Sequence, residues 1–369
     1  MSNPRIEVDL SKIRHNTQTA VQALHARGIS VTAVTKAVCG HPAIAQAMLD
    51  GGATGLAESR LSNVKRLRKA GQLCPITLIR TPMLSQVDEV VQVCDASYNT
   101  EIAVITALAT AAIRHDCVHN VILMVEMGDN REGIMPADLG AMAQRVVDLP
   151  GVALKGIGAN FACLTGVAPD AAAMEALSSL TSEVEGQCGP FLQTVSGGNS
   201  ANLPWAFSGN PTGRVNDLRL GEAILLGVDP VSGGRINGMH TDAFSLVAEV
   251  IEANNRSVPL FQSSVALRLL APRDDEPTRL ILALGHQDTD ILGLLMPVGT
   301  MLIGATSDHL VIGTTQATMS VGSEVRFQMT YSALMRAMAA PDIKISMLHD
   351  RQIPRGRNAD EPRKHLEIV

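Results

Sequence analysis

Aromatic side chains are scarce in this chain: its 369 residues include six Phe, two Tyr and one Trp. Modules that hold nucleic acid by stacking bases need aromatic platforms, and a formal net charge of −6 offers no basic footprint. Neither a nucleic acid nor an acidic membrane surface is therefore an expected partner. The six cysteines (39, 74, 94, 117, 163 and 188) form no CxxC pair, so no zinc knuckle, redox pair or other metal site is expected. The opening residues, MSNPRIEVDLSK, place charges ahead of any apolar run. They do not read as a signal peptide, and reduced thiols in the cytoplasm are the expectation. The uncharged stretch 291–307 is broken by Gly293, Pro297, Gly299 and Gly304. That pattern predicts two strands and a turn rather than a membrane span. No GxGxxG turn and no P-loop occurs.

What is present is an aliphatic core. Apolar residues make up 46% of the chain, sixteen of them Met, and this excludes disorder. From residue 29 short β-branched runs alternate with helical patterns. ISVTAVTK, TGLAES, PITLIR, DASYN, HNVILMVEMG, VALKGIGANF, FLQTVSGGNS and DLRLGEAILLG read as eight strands in that order. Strand followed by helix, repeated eight times, predicts a TIM-type (β/α)8 barrel, an α/β fold, over residues 12–235. A doubly wound open sheet is the alternative, but it normally carries a glycine-rich phosphate turn after its first strand. After residue 235 strand-like runs dominate, which predicts a C-terminal mostly-β domain over 236–369, joined by residues 1–11. The charged residues from Asp350 onward read as a tail.

Barrel enzymes place their chemistry at the C-terminal strand ends. Those positions hold Lys36, Glu58-Ser59-Arg60, Arg80, Asn99, Arg131, Asn160, Asn199-Ser200 and Arg219. A lysine ending an apolar strand is unusual, and a partly desolvated amine is a nucleophile; a rim ion pair with Glu58 is the structural alternative. Ser196 to Ser200 follow strand seven, where barrels often bind phosphate. Arg219 sits between Leu218 and Leu220, so its guanidinium should point into the barrel mouth. Asp217 lies about 7 Å along the strand, too far for a direct pair. A ligand ring nitrogen or carboxylate would then serve as the acceptor that a buried arginine needs.

Val-Thr-Lys-Ala-Val-Cys-Gly-His (34–41) resembles the pyridoxal-phosphate lysine motif of alanine racemase and its fold-type III relatives. The resemblance runs through the chain. Gly128 to Gly133 resembles the family's arginine loop, Asn199-Ser200-Ala201 its phosphate-contacting serine, and Arg219-Leu220-Gly221-Glu222 its pyridine-facing arginine segment. Gly285-His286-Gln287-Asp288 stands where the family has Gly-Tyr-Ala-Asp, and Thr330-Tyr331 resembles a phosphate-contacting tyrosine. Glu58-Ser59-Arg60, 156–163 and 304–309 look closer to the ornithine racemase branch.

The resemblance implies a pyridoxal 5'-phosphate-dependent amino-acid racemase with Lys36 as one base and the link to the cofactor. The second base of the family is a tyrosine from the other subunit, which implies a homodimer with a shared site. Here His286 takes that place, with Asp288, Asp308 and His309 as rivals; histidine exchanges protons near neutral pH. The resemblance also implies cofactor contacts from Arg131, Asn160, Asn199, Ser200, Arg219, Gly221, Glu222 and Tyr331. Asn160 replaces a histidine beside the ring, and Cys39 reads as small filler. Arg219 would keep the pyridine nitrogen unprotonated and discourage side reactions. Ornithine or another basic substrate is favoured, its ammonium met by Glu222, Asp288 or Asp308; alanine remains open.

Other readings of the fold are a non-catalytic pyridoxal-phosphate carrier, a lyase of the same fold type, or a barrel without cofactor. The β domain argues against the carrier. The absence of cysteine after Cys188 argues against a decarboxylase, and the isolation of His309 and His349 against a metal-dependent aldolase or dehydratase.

Overall fold

The computed structural model describes residues 4–189, 191–254, 278–315 and 319–348; the charged tail expected from Asp350, and His349, lie outside them. The chain opens with strand β1 (Arg5–Asp9) and helix α1 (Leu10–His25). Asp9 starts that helix by accepting from the backbone N–H groups of Ser11 and Lys12, satisfying donors that have no partner within the helix.

Eight parallel strands then close into a barrel. They are β2 (Ser30–Val34), β3 (Gly55–Glu58), β4 (Ile76–Leu78), β5 (Ala96–Asn99), β6 (His119–Val125), β7 (Val152–Ala159), β8 (Thr194–Ser196) and β9 (Asp217–Leu220). Between and after them run α2 (Pro42–Asp50), α3 (Leu61–Lys69), α4 (Val87–Val93), α5 (Ile102–Arg114), α6 (Pro136–Val147), α7 (Ala171–Cys188), α8 (Leu203–Phe207) and α9 (Glu222–Leu226). Pro42 and Pro136 each occupy the first turn of a helix, where the missing N–H costs nothing.

Alternation along the strands sorts the side chains. Outward residues such as Val31, Leu56, Ile76, Val121 and Ile157 join the large apolar layer under the helices. Tyr98, Ile122 and Met124 form a separate cluster, with Ile79 beside it. In β7 Gly158 leaves room for the Tyr98 ring: a Cβ there would stand 2.9 Å from Tyr98 Cε1.

The second module is an eight-stranded sheet built from β10 (Phe244–Asn254), β11 (Thr278–Leu282), β12 (Leu294–Leu295), β13 (Thr300–Ala305), β14 (Leu310–Thr314), β15 (Glu324–Met329), β16 (Lys344–Leu348) and β1. Strand β1 pairs antiparallel with β10 and parallel with β16. Arg5 Nη1 reaches across β10 to Glu324 Oε1 at 2.7 Å, and Glu7 accepts from Arg326.

Two segments differ from the sequence expectation. The run EAILL is a helix (α9) rather than a continuation of β9. Gly221 breaks the strand and Gly227, at φ 67°, ends the helix in the left-handed region. Likewise β15 stops at Met329, and Tyr331 opens helix α10 (Tyr331–Ala339) in an otherwise β module. Helix α10 packs against the single 3-10 turn Lys36–Val38, so the second module touches the barrel next to its unusual lysine.

Candidate active site

Strand β2 ends at Val34, and Lys36 begins the 3-10 turn that follows. Because Thr32 of β2 lies opposite Arg219 of β9, Lys36 stands at the rim while Arg219 remains inside. Both line one cavity of about 390 Å³ at the C-terminal ends of the strands. Arg131, Asn160, Asn199, Ser200, Gly221, Glu222 and Tyr331 line it as well. All nine cavity residues expected of one chain are thus brought together, from five barrel segments and α10.

His286 and Asp288 are not among the lining residues. They lie in the turn after β11, His286 exposed, while Asp288 Oδ2 accepts from the Gly285 N–H at 2.8 Å. Asp308 and His309 pair with each other at the surface at 3.3 Å.

Other strand-end candidates go elsewhere. Glu58 makes no ion pair with Lys36 among the described residues; it is buried, accepting from Thr35 Oγ1 (2.8 Å) and Asn63 Nδ2 (3.1 Å), and burial pushes its carboxyl above the usual range. Arg60 and Arg80 line a separate surface hollow. Asn99 is buried and donates to Ser97.

The floor of the cavity belongs to Arg219, which is 4% exposed. Protein groups already accept from both of its Nη atoms. Nη1 donates to Ser196 Oγ (2.5 Å) and Tyr98 Oη (3.2 Å), and Nη2 to the Ala159 carbonyl (2.7 Å). Nε, with no partner among the described residues, is the donor left for a ligand. No direct ion pair joins Arg219 to Asp217 among the described residues; Ser196 stands between them.

One wall is a polar relay. Asn199 Nδ2 donates to Asn160 Oδ1 (3.2 Å) and to the Phe161 carbonyl (2.7 Å), and Asn160 Nδ2 donates to Asp129 Oδ2 (2.8 Å). Ala162 follows at φ 61°, a left-handed conformation uncommon for a residue with a side chain. Arg131 lines the mouth, but Glu132 takes its Nε and Nη2. Burial opposes the charge of Arg131, and Glu132 outweighs it, holding the guanidinium above its usual range.

The opposite wall suits an anion. Ser200 Oγ accepts from the backbone N–H of Ala223 (3.2 Å) and Gly221 (3.4 Å) at the start of α9. Both bonds are long, so these amides and the hydroxyl are weakly committed. Tyr331 Oη and Lys36 Nζ have no hydrogen-bond partner among the described residues. Burial raises the Tyr331 phenol, and the nearby Glu222 charge adds to the effect. Burial, with the Asp229 charge, pushes Glu222 up to about 7, while Lys36 pulls it down.

This set fits a phosphorylated aldehyde cofactor: an amine, an anion cradle of hydroxyl, phenol and amides, and a fixed guanidinium on the floor. Sequence reasoning missed Tyr98 as a partner of Arg219; it singled out Ser196 only within a phosphate-binding run, whereas its hydroxyl accepts from Arg219, and it named Phe161 and Cys163 only within a family-like segment. A tyrosine in a chain with only two, and a serine one strand from Arg219, were the signals available.

A profile of the alanine racemase N-terminal domain matches residues 8–230. The chain belongs to the alanine racemase family. Two relatives in this family match nearly end to end. An ornithine racemase from Acetoanaerobium sticklandii is 33% identical, covering 94% of this chain and 99% of its own length. A lysine racemase from Thermotoga maritima is 34% identical, covering 93% and 98%. Among solved structures, the alanine racemase of Streptomyces lavendulae superposes with a TM-score of 0.72 at 17% identity, covering 95% of this chain and 98% of that one. The barrel and antiparallel sheet are thus those of the alanine racemase fold. Among the described residues no helix is long and apolar enough to cross a membrane.

Proposed function

We propose that this chain is a pyridoxal 5'-phosphate-dependent racemase of a basic amino acid, ornithine or lysine. The observation that carries the reading is that Lys36, just past the end of β2, and Arg219, on the neighbouring β9, line one cavity with the Ser200–Gly221–Tyr331 anion cradle. Near end-to-end similarity to an ornithine racemase and a lysine racemase supports both reaction and substrate.

The bound cofactor would supply an electron sink that acidifies the substrate α-C–H. The chain's residues do the rest. Lys36 holds the cofactor and moves the α-proton on one face. Ser200, the amides of α9 and Tyr331 hold phosphate, and Arg219 Nε meets the ring nitrogen. Arg131 and the Asn160–Asn199 relay border the ring and the substrate carboxylate. Glu222, an acid inside the cavity, pairs with the substrate's distal ammonium, with Asp288 and Asp308 as the other acids near the shared site.

A second base is needed on the other face. His286 lies outside the cavity of its own chain, which supports a homodimer in which His286 of one copy serves the Lys36 of the other, backed by Asp288. All six cysteines are free, in keeping with a cytoplasmic enzyme.

Purified protein incubated with pyridoxal phosphate is expected to gain visible absorbance that Lys36→Ala abolishes. It should exchange the α-proton of L- and D-ornithine and lysine for deuterium. A wild-type protein that stays colourless would sink the reading.

A further inference from the structure

Beneath the cavity runs a polar column inside the barrel. Ser196 Oγ donates to Asp217 Oδ2 at 2.5 Å while accepting from Arg219 Nη1 at 2.5 Å. Thr32 Oγ1 donates to the other oxygen, Asp217 Oδ1, at 2.6 Å. The residues come from three adjacent strands, β8, β9 and β2. Asp217 is 6% exposed and Ser196 fully buried.

The arrangement is directional. A hydroxyl has one proton, and here the carboxylate takes it, so the lone pair of Ser196 faces Arg219. Without the carboxylate the hydroxyl would be free to turn its proton toward the guanidinium and repel it. Asp217 thus makes Ser196 an acceptor, and Ser196 with the Ala159 carbonyl clamps both Nη atoms. The clamp leaves Nε for the cavity. Charge matters as well: a buried guanidinium needs compensation, and its other partners are neutral, the Ala159 carbonyl and the Tyr98 ring. Lys155, the extra residue of a bulge in β7, lines the same lower space, so loss of Asp217 would leave two cations there.

We propose that Asp217 is a positioning residue: acting through Ser196, it fixes the orientation and charge balance of Arg219 and so tunes the cofactor ring that Arg219 meets. This rests on the reading of the cavity as a pyridoxal-phosphate site.

The test compares Ser196→Ala, Ser196→Thr, Asp217→Asn, Thr32→Val and the double variant of Ser196→Ala with Asp217→Asn, each loaded with cofactor. Ser196→Ala and Asp217→Asn should shift the visible band, and its pH titration, in the same direction. The double variant should shift it no further, since both cut one link, and Ser196→Thr should restore it. Turnover in Ser196→Ala should fall about tenfold, ~1.4 kcal/mol, in kcat rather than KM. Thr32→Val should lower the melting temperature yet leave the band in place. Should Asp217→Asn fail to fold, the Ser196 pair decides alone. A coloured wild type whose Ser196→Ala variant has an identical band overturns this proposal and leaves the racemase reading intact. Shifts that simply add overturn it too, and a colourless wild type overturns both.

Discussion

Arg219 and Tyr98 stand face to face inside the barrel, the guanidinium carbon 4.7 Å from the ring centroid. A cation over an aromatic face gains ~1–2 kcal/mol when desolvated, and the ring also bars the guanidinium from sinking further. Tyr98 is one of two tyrosines in the chain. It packs against the arginine and is not among the residues lining the cavity, so under the proposed racemase reading the second proton carrier is another residue.

That residue can be located by mixing subunits. Lys36→Ala and His286→Asn homodimers are each expected to be nearly inactive in racemisation. Dissociated and reassociated together, they should recover roughly a quarter of wild-type activity, because half of the random dimers carry one intact shared site. No recovery would place both residues in one chain's site, or His286 outside the chemistry. Within His286→Asn, deuterium exchange should slow more for one enantiomer than for the other.

Glu222 makes stability depend on pH. Its carboxyl ionises at about 7 in the fold against a usual 4.5, so the fold prefers the protonated form. The resulting penalty is absent below 4.5, grows as pH rises and is complete above about 7. Glu222→Gln should therefore gain on wild type in urea unfolding as pH is raised from 4.5 to 8. In kinetics the same change should raise KM about tenfold for ornithine and lysine, the loss of one charge-assisted contact, with little effect on alanine.

Gly158 is where the Tyr98 platform can be disturbed without removing a hydrogen-bonding side chain. A Cβ there meets Tyr98 Cε1 at 2.9 Å and Ser196 Cβ at 3.1 Å. Gly158→Ala should cost ~1–3 kcal/mol of stability, as overpacking does, and weaken cofactor uptake measured by absorbance titration.

Thiol labelling separates the cysteines. Cys163 is exposed and lines the cavity, whereas burial pushes Cys94 up to about 12. Cys163 should label first and be protected by bound pyridoxal phosphate; Cys94 should stay unlabelled until the protein unfolds. Labelling of Cys163 at the same rate with cofactor bound would argue that the cavity is not the cofactor's site.

Much of this was legible in the chain itself. The alternation of β-branched runs and helical stretches dictates the barrel, and strand-end logic singles out Lys36, Asn160 and Arg219, because a barrel puts strand ends in one ring. Helices α9 and α10 were not legible. EAILL and the segment after Thr330 are short apolar runs whose period cannot choose between strand and helix; Gly221 and contact with the Lys36 turn decided them. The roles of Tyr98, Ser196 and Asp217 around Arg219 were hidden for another reason. These side chains face the barrel interior from β5, β8 and β9, and only closure of the barrel brings them around Arg219.

Strand β1 carries a consequence for how the molecule is assembled. Ile6 pairs with Leu246, and Arg5 with Lys344, so the chain begins in the sheet that its last described strand completes. Topologically the whole barrel is an insertion, a loop tied off between the first two strands of that sheet. Closing so long a loop is slow for an unstructured chain, but a folded barrel brings its ends together, with Asp9 N 2.9 Å from the Ala243 carbonyl. A barrel that is already folded thus holds β1 and the start of β10 in pairing distance, and the cost of closing the loop is met within the barrel itself. Tyr331, carried in by the sheet's helix, makes the cavity a product of both modules: the barrel alone would leave that side of it open.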